Sequence, residues 1–185
     1  MFERLRRAYP LKVELIPALL ALWTSYMVLS AFSTLPAQVP THFNAAGEPD
    51  RWGPRAVLLL LWGVQIGLVY LPATLMGLAF GLAGGFRSLV NIPGRDREGL
   101  TAEQGEAVRT WVLRLLLVNK VLAMALVAVI IYSSLQIVRG RGEFMGGLFW
   151  GLVAALLAST LFILWRLLRA AYLGGRSSGP SRPMR

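Results

Sequence analysis

Four apolar blocks, each long enough for a helix to cross a bilayer, constrain this chain more than any other feature. They run roughly over residues 14–35, 56–86, 113–138 and 144–168. A helix rises about 1.5 Å per residue, so about 20 apolar residues span the ~30 Å hydrocarbon layer. Hydrocarbon offers free backbone groups no partner, and the blocks lack the period-two alternation of barrel strands, so they read as helices. A mean hydropathy of +0.58, with 15% charged against 56% hydrophobic residues, lies outside the range of an ordinary soluble domain. The expected fold is therefore all-α: an integral membrane protein whose residues 1–173 form a four-transmembrane-helix bundle. The Gly/Ser/Pro-rich basic tail over 174–185 has too little apolar surface to order itself.

The formal net charge of +10 raises the question of nucleic acid, and its placement answers it. Arg4, Arg6, Arg7 and Lys12 precede the first block; Arg87, Arg95, Arg97 and Arg109 lie between the second and third. Arg166, Arg169, Arg176, Arg182 and Arg185 close the chain. Only Arg51, Arg55, Arg139 and Arg141 occupy the other two connections, thirteen against four. The positive-inside rule then places both termini and the loop over 87–112 in the cytoplasm, and the loop over 36–55 outside. The expected location is the bacterial inner (plasma) membrane, multi-pass and N-in/C-in. Basic clusters beside membrane helices pair with anionic headgroups, so the lipid bilayer accounts for the charge and no nucleic-acid partner is expected. The chain has no cysteine, which excludes thiolate catalysis, disulfides and thiolate metal sites. The apolar run behind MFERLRRAYPLK exceeds a signal-peptide core and lacks a convincing small-residue cleavage site, so it reads as a retained first span.

Within the blocks, Pro72 removes one helical hydrogen bond from the second, so a kink or tilt is expected there. Gly63 and Gly67, then Gly77, Gly81 and Gly85, follow helical spacing, as do Gly147, Gly151, Ala155 and Ser159. Such stripes let backbones approach closely, and they read as packing faces of the bundle, with a homodimer through the same faces left open. Thr101-Ala-Glu-Gln104 fits a capping box, so the third helix should begin near Ala102, before the membrane. The six tryptophans mostly fall near expected interfaces, where an indole anchors half wet.

Three intramembrane residues are polar enough to need a reason: Gln65, Asn119 and Lys120. A charge at mid-bilayer costs about 2.5–3.5 kcal/mol on insertion scales. Lys120 lies close enough to the cytoplasmic boundary for its stem to reach the headgroups, or else it faces a polar cavity. Asn119 and Gln65 read as interhelical hydrogen-bond partners. Glu14 sits at a block margin, and no span carries a carboxylate deep inside, which weakens a proton-coupled transporter reading.

The loop over 36–55 holds the lone histidine and four of the ten prolines. Its prolines stiffen the path, Ala46-Gly47 suits a tight turn, and Asn44 and Asp50 suit bonds to nearby amides. His42 and Asp50 are the weak metal candidates, since one histidine and no cysteine fall short of a zinc site. Glu48 and Asp50, two apart in a turn, fix no catalytic geometry, so no catalytic residue and no cofactor is assigned.

The run Leu35-Pro…Val39-Pro-Thr-His42-Phe-Asn44…Gly47…Asp50-Arg-Trp-Gly resembles the signature of a bacterial membrane domain of unknown function. That domain is shared with the N-terminal part of the sporulation-delaying toxin immunity protein family. Leu89-Val-Asn91-Ile-Pro93-Gly resembles the same family's Asn-Ile-Pro segment, although Arg95-Asp-Arg-Glu98 follows where relatives carry aromatic and acidic residues. The resemblance covers roughly 15–138, and it marks His42, Asn44, Gly47, Asp50, Asn91 and Pro93 as the loop-motif positions for binding a partner. It suggests a non-enzymatic accessory or immunity/signalling protein whose external loop recognises a protein partner. Two alternatives stay open: a small transporter or channel subunit with Lys120 and Asn119 on a polar path, and a metal-dependent membrane enzyme using His42 and Asp50.

Overall fold

The computed structural model describes residues 11–82, 101–142 and 146–173. Among these residues, four helices are long and apolar enough to cross a membrane. A 3-10 turn, Leu11–Glu14, leads into α1, Leu15–Ala31. After a short 3-10 turn come two strands, β1 (Gln38–Phe43) and β2 (Pro49–Pro54). The second span is one rod in three parts: α2 (Ala56–Val64), a π-helical segment (Gln65–Tyr70) and α3 (Leu71–Leu82). The third and fourth spans are α4, Ala102–Val138, and α5, Gly146–Leu173.

The hairpin corrects the all-α expectation. β1 and β2 pair antiparallel, with Val39 opposite Gly53 and Pro40 opposite Trp52, and the register shifts on both sides of His42. The prolines that suggested an irregular loop are compatible with extended backbone, and a two-stranded ribbon has only edges, where their missing donors cost least. The connecting loop is closed by Asn44, whose side-chain oxygen accepts from the Glu48 amide at 3.0 Å. Its backbone accepts from Gly47 N–H at 2.9 Å. Gly47 has φ 86°, a conformation that glycine adopts without a Cβ penalty. The tight turn at Gly47 and the Asn44–amide bond follow the sequence reading; Asp50 instead bonds His42.

The hairpin is seated on the bundle. Val39 is fully buried in a cluster with Val28, Ala31 and Leu35 of the first span and its exit, Leu58 of α2, and Ile131 and Leu135 of α4. The Ser134 hydroxyl donates to the Pro40 carbonyl at 3.3 Å. Arg55, just after β2, reaches back to the carbonyls of Phe32 (3.3 Å) and Leu35 (3.1 Å), with its guanidinium 5.0 Å from the Phe32 ring centroid. A cation near a helix C-terminus satisfies otherwise unpaired carbonyls and suits the dipole.

Pro72 is accommodated upstream rather than at a sharp break. The Leu71 amide donates to Ile66, five residues back, so the turn before the proline is widened. Proline lacks a donor and crowds the carbonyl four residues earlier, and a π turn relieves both. In α4, the Thr101 hydroxyl accepts from the Gln104 amide (3.2 Å) while the Gln104 side chain accepts from the Thr101 amide (3.0 Å), the expected capping box. Its other end closes in a Schellman turn: Gly140 (φ 64°) donates to Ile137, and Arg141 to Gln136. At 37 residues, α4 is about 55 Å long and is the element against which the others pack.

α5 packs along α4. Near the end away from the hairpin, Val108 and Ala171 are fully buried against Phe80, Val112 and Leu167. Arg109 there donates to the Phe80 carbonyl at 3.1 Å. Trp111 carries two guanidiniums, Arg114 and Arg166, each 4.6 Å from its ring centroid. Two of the small-residue stripes need correction, whereas Gly77, from the third, is buried as a packing position should be. A Cβ added at Gly63, Gly67, Gly147 or Gly151 would meet nothing within 4 Å, so these positions face away from the bundle. Spacing defines a face, but the burial of neighbouring large residues decides which face turns inward.

Candidate functional site

Two groups of polar residues stand out, one on the hairpin and one inside the bundle. On the hairpin, the register shift at His42 brings its ring to the same side as Asp50. Their Nδ1 and Oδ1 atoms are 2.6 Å apart, a cross-strand pair with both side chains exposed. Asn44 Nδ2 donates to Glu48 at 3.1 Å, adding a second polar pair at the tip. Thr41 donates to the Arg51 carbonyl at 3.2 Å, and a Cβ at Gly53 would come 2.9 Å from the Thr41 methyl. Gly53 therefore permits this close cross-strand approach. Trp52 is about half exposed beside this polar face. Four of the motif positions, His42, Asn44, Gly47 and Asp50, thus share one hairpin. Asn91 and Pro93 lie outside the described residues. Among the described residues, no third histidine, aspartate or glutamate joins His42 and Asp50 into a group of three.

Inside the bundle, Lys120 corrects the view that its stem reaches for the headgroups. Its side chain is fully buried, and its ammonium is ion-paired with Glu14. Thr74 bridges the pair, accepting from Lys120 at 3.0 Å and donating to Glu14 at 3.2 Å. The Tyr70 ring centroid is 5.7 Å from the ammonium. Glu14, Thr74 and Lys120 lie 17–18 residues from the hairpin-side ends of their spans at Ala31, Ala56 and Val138, about 26–27 Å along each rod. Equal depth is what allows three spans to meet there. A buried charge left unpaired is strongly unfavourable, so the cluster fixes the relative height of the first, second and third spans.

A second polar clamp sits nearer the middle. The fully buried Gln65 accepts from the Thr24 hydroxyl (2.7 Å) and donates to the Met124 carbonyl (2.8 Å). It opens the π-helical segment, where a widened turn shifts the direction of the side chains that follow. Trp62 donates to the Ser25 hydroxyl at 2.8 Å, again joining the first two spans. Asn119 accepts from Thr160 at 3.1 Å, a polar link between α4 and α5. Gln65 and Asn119 are thus interhelical partners.

Sequence reasoning missed Glu14, Thr74 and Tyr70 as members of this set. One signal was available: a lysine within a span requires compensation, and Glu14 was the acid closest to any block interior.

Residues 18–66 match the model of a domain of unknown function, DUF1648. The matched stretch runs from α1 through the hairpin to the start of the π-helical segment, and so contains both His42–Asp50 and Thr24–Gln65. It is narrower than the 15–138 suggested by the motif and does not reach Asn91. An uncharacterised protein of Archaeoglobus fulgidus is 40% identical over 83 residues, 45% of this chain. The chain spans 44% of that relative's length. No solved structure gives a significant match.

Proposed function

We propose that this multi-pass membrane protein is a non-enzymatic accessory protein of immunity or signalling type that recognises a protein partner through its hairpin. In this reading it resides in the plasma membrane, with the hairpin outside and the loop over 87–112 available to a cytoplasmic partner. The observation that supports it is the seating of the hairpin. One side is locked to the bundle by Val39, Ser134 and Arg55, while His42, Asn44, Glu48, Asp50 and Trp52 are displayed on the other. A surface ordered before binding avoids much of the conformational cost of association. An exposed aromatic among polar groups has the composition of an interface anchor.

The intramembrane residues support a structural role beside it. Lys120 is neutralised by Glu14 and Asn119 is engaged by Thr160, so neither favours a polar path.

The experiment is affinity capture from native membranes with the wild-type chain and the triple variant His42→Ala, Asn44→Ala, Asp50→Ala. The expected result is loss of the captured partner with membrane insertion intact. Equal capture by both would overturn the reading.

A further inference from the structure

A cleft of about 160 Å³ opens between α1 and α4 close to their hairpin-side ends. Its floor is Met27 and the buried Leu135; its walls carry Tyr26, Tyr132, Gln136 and Arg139. From Tyr132 to Arg139 the cleft climbs seven residues, about 10 Å. The headgroup layer of a leaflet is about 5–8 Å deep, so such a cleft runs from the headgroups into the upper acyl chains.

The chemistry of the walls changes along that path. Arg139 lies at the mouth, beyond the last turn of α4, with no carboxylate partner among the described residues. Gln136 is one turn below it. Neither this amide nor the hydroxyls of Tyr26 and Tyr132 bond another described side chain or carbonyl. Tyr132 is held in place by Trp23, the two rings stacked with centroids 6.0 Å apart and planes inclined by 28°. Four side-chain donors of one small cleft therefore have no hydrogen-bond partner among the described residues, one of them permanently cationic, beside the apolar Met27 and Leu135. That gradient matches an amphiphile entering sideways from the bilayer, with its anionic end at the surface.

We propose that this cleft binds the headgroup of an anionic phosphoglycerol lipid from the hairpin-side leaflet, with Arg139 and Gln136 on the phosphate and the tyrosine hydroxyls on glycerol oxygens. A guanidinium donates two parallel hydrogen bonds to phosphate oxygens, which a lysine would not reproduce. A choline headgroup carries its own cation and lacks the hydroxyls, so it is the disfavoured competitor.

Native mass spectrometry of the full chain, equilibrated in mixed micelles of phosphatidylglycerol and phosphatidylcholine, reads the preference. The wild type is expected to retain phosphatidylglycerol selectively. Arg139→Gln should weaken that retention about ten-fold or more, the loss of one charge-assisted contact. Tyr132→Phe, which keeps the stacked ring, should weaken it by a smaller factor. Arg141→Gln, outside the cleft, should leave it unchanged, and circular dichroism melts would show all three folded. Equal retention of both lipids, or wild-type retention by both cleft variants, would overturn the proposal. Displacement of the lipid by millimolar glycerol phosphate would overturn the bilayer as the source and assign the cleft to a soluble phosphate ester.

Discussion

Glu14 and Lys120 stand 106 positions apart in the chain, yet their charged ends pair inside the bundle with Thr74 bridging them. The pair joins the start of the first span to the middle of α4. Ions taken from water lose solvation that their mutual attraction does not fully return, so the pair adds little net stability. Removing one partner is different, because the other is left buried and uncompensated. Lys120→Met should cost about 3–5 kcal/mol in detergent-based unfolding. Glu14→Gln combined with Lys120→Met should recover most of that loss. A double variant as unstable as the sum of the singles would show that the two residues act independently.

Gln65 makes a similar argument with neutral groups. It accepts from Thr24 and donates to Met124, so one amide ties three spans. Interhelical hydrogen bonds in membranes average about 0.6 kcal/mol and reach about 1.7. Thr24→Val and Gln65→Leu should each destabilise the bundle, with a coupling of roughly 0.5–1.5 kcal/mol in a double-mutant cycle. Additive losses would mean that the Thr24–Gln65 bond contributes nothing of its own.

The helical character of the spans was legible because the bilayer leaves a long apolar run few options. The start of α4 was legible because a capping box is written in adjacent residues. Relationships that needed distant parts of the chain were not. Glu14 looked peripheral at the margin of its block, and only the packed spans bring it level with Lys120. The π turn at Gln65–Tyr70 depends on Pro72 together with the seat that Gln65 occupies between α1 and α4. The hairpin was half legible: Asn44 and Gly47 announced the turn, whereas the prolines disguised the strands on either side. The glycine pairs Gly63/Gly67 and Gly147/Gly151 misled for a related reason, since periodicity names a face of a helix without naming what packs on it.

Gly47 permits a prediction confined to the hairpin. At φ 86° a Cβ is penalised, so Gly47→Ala should cost about 1–2 kcal/mol. Asn44→Ala would remove the acceptor for the Glu48 amide and the contact with the Glu48 carboxylate. Both changes should speed proteolysis within 44–48 while leaving the unfolding temperature of the bundle nearly unchanged. The reason is that Val39 and Pro40, which seat the hairpin, lie in β1 outside the altered turn. A large drop in bundle stability would show that the turn and the seat fold as one unit.

Orientation is the remaining relationship on which the hairpin's role depends. Arg114 and Lys120 aside, the basic residues at the two ends of the spans divide thirteen to four, and the four lie on the hairpin side. Transfer of Lys and Arg across the membrane is disfavoured, so the hairpin side should be the outer one. The chain has no cysteine, so single substitutions report without background. Ala45→Cys is exposed at the hairpin tip, and Ser177→Cys lies in the basic tail. An impermeant maleimide applied to intact cells should label the first and not the second, and permeabilisation should expose both. The reverse pattern would place the His42–Asp50 face in the cytoplasm. A hairpin in that position would meet cytoplasmic proteins, and the charge asymmetry would then need a cause other than membrane insertion.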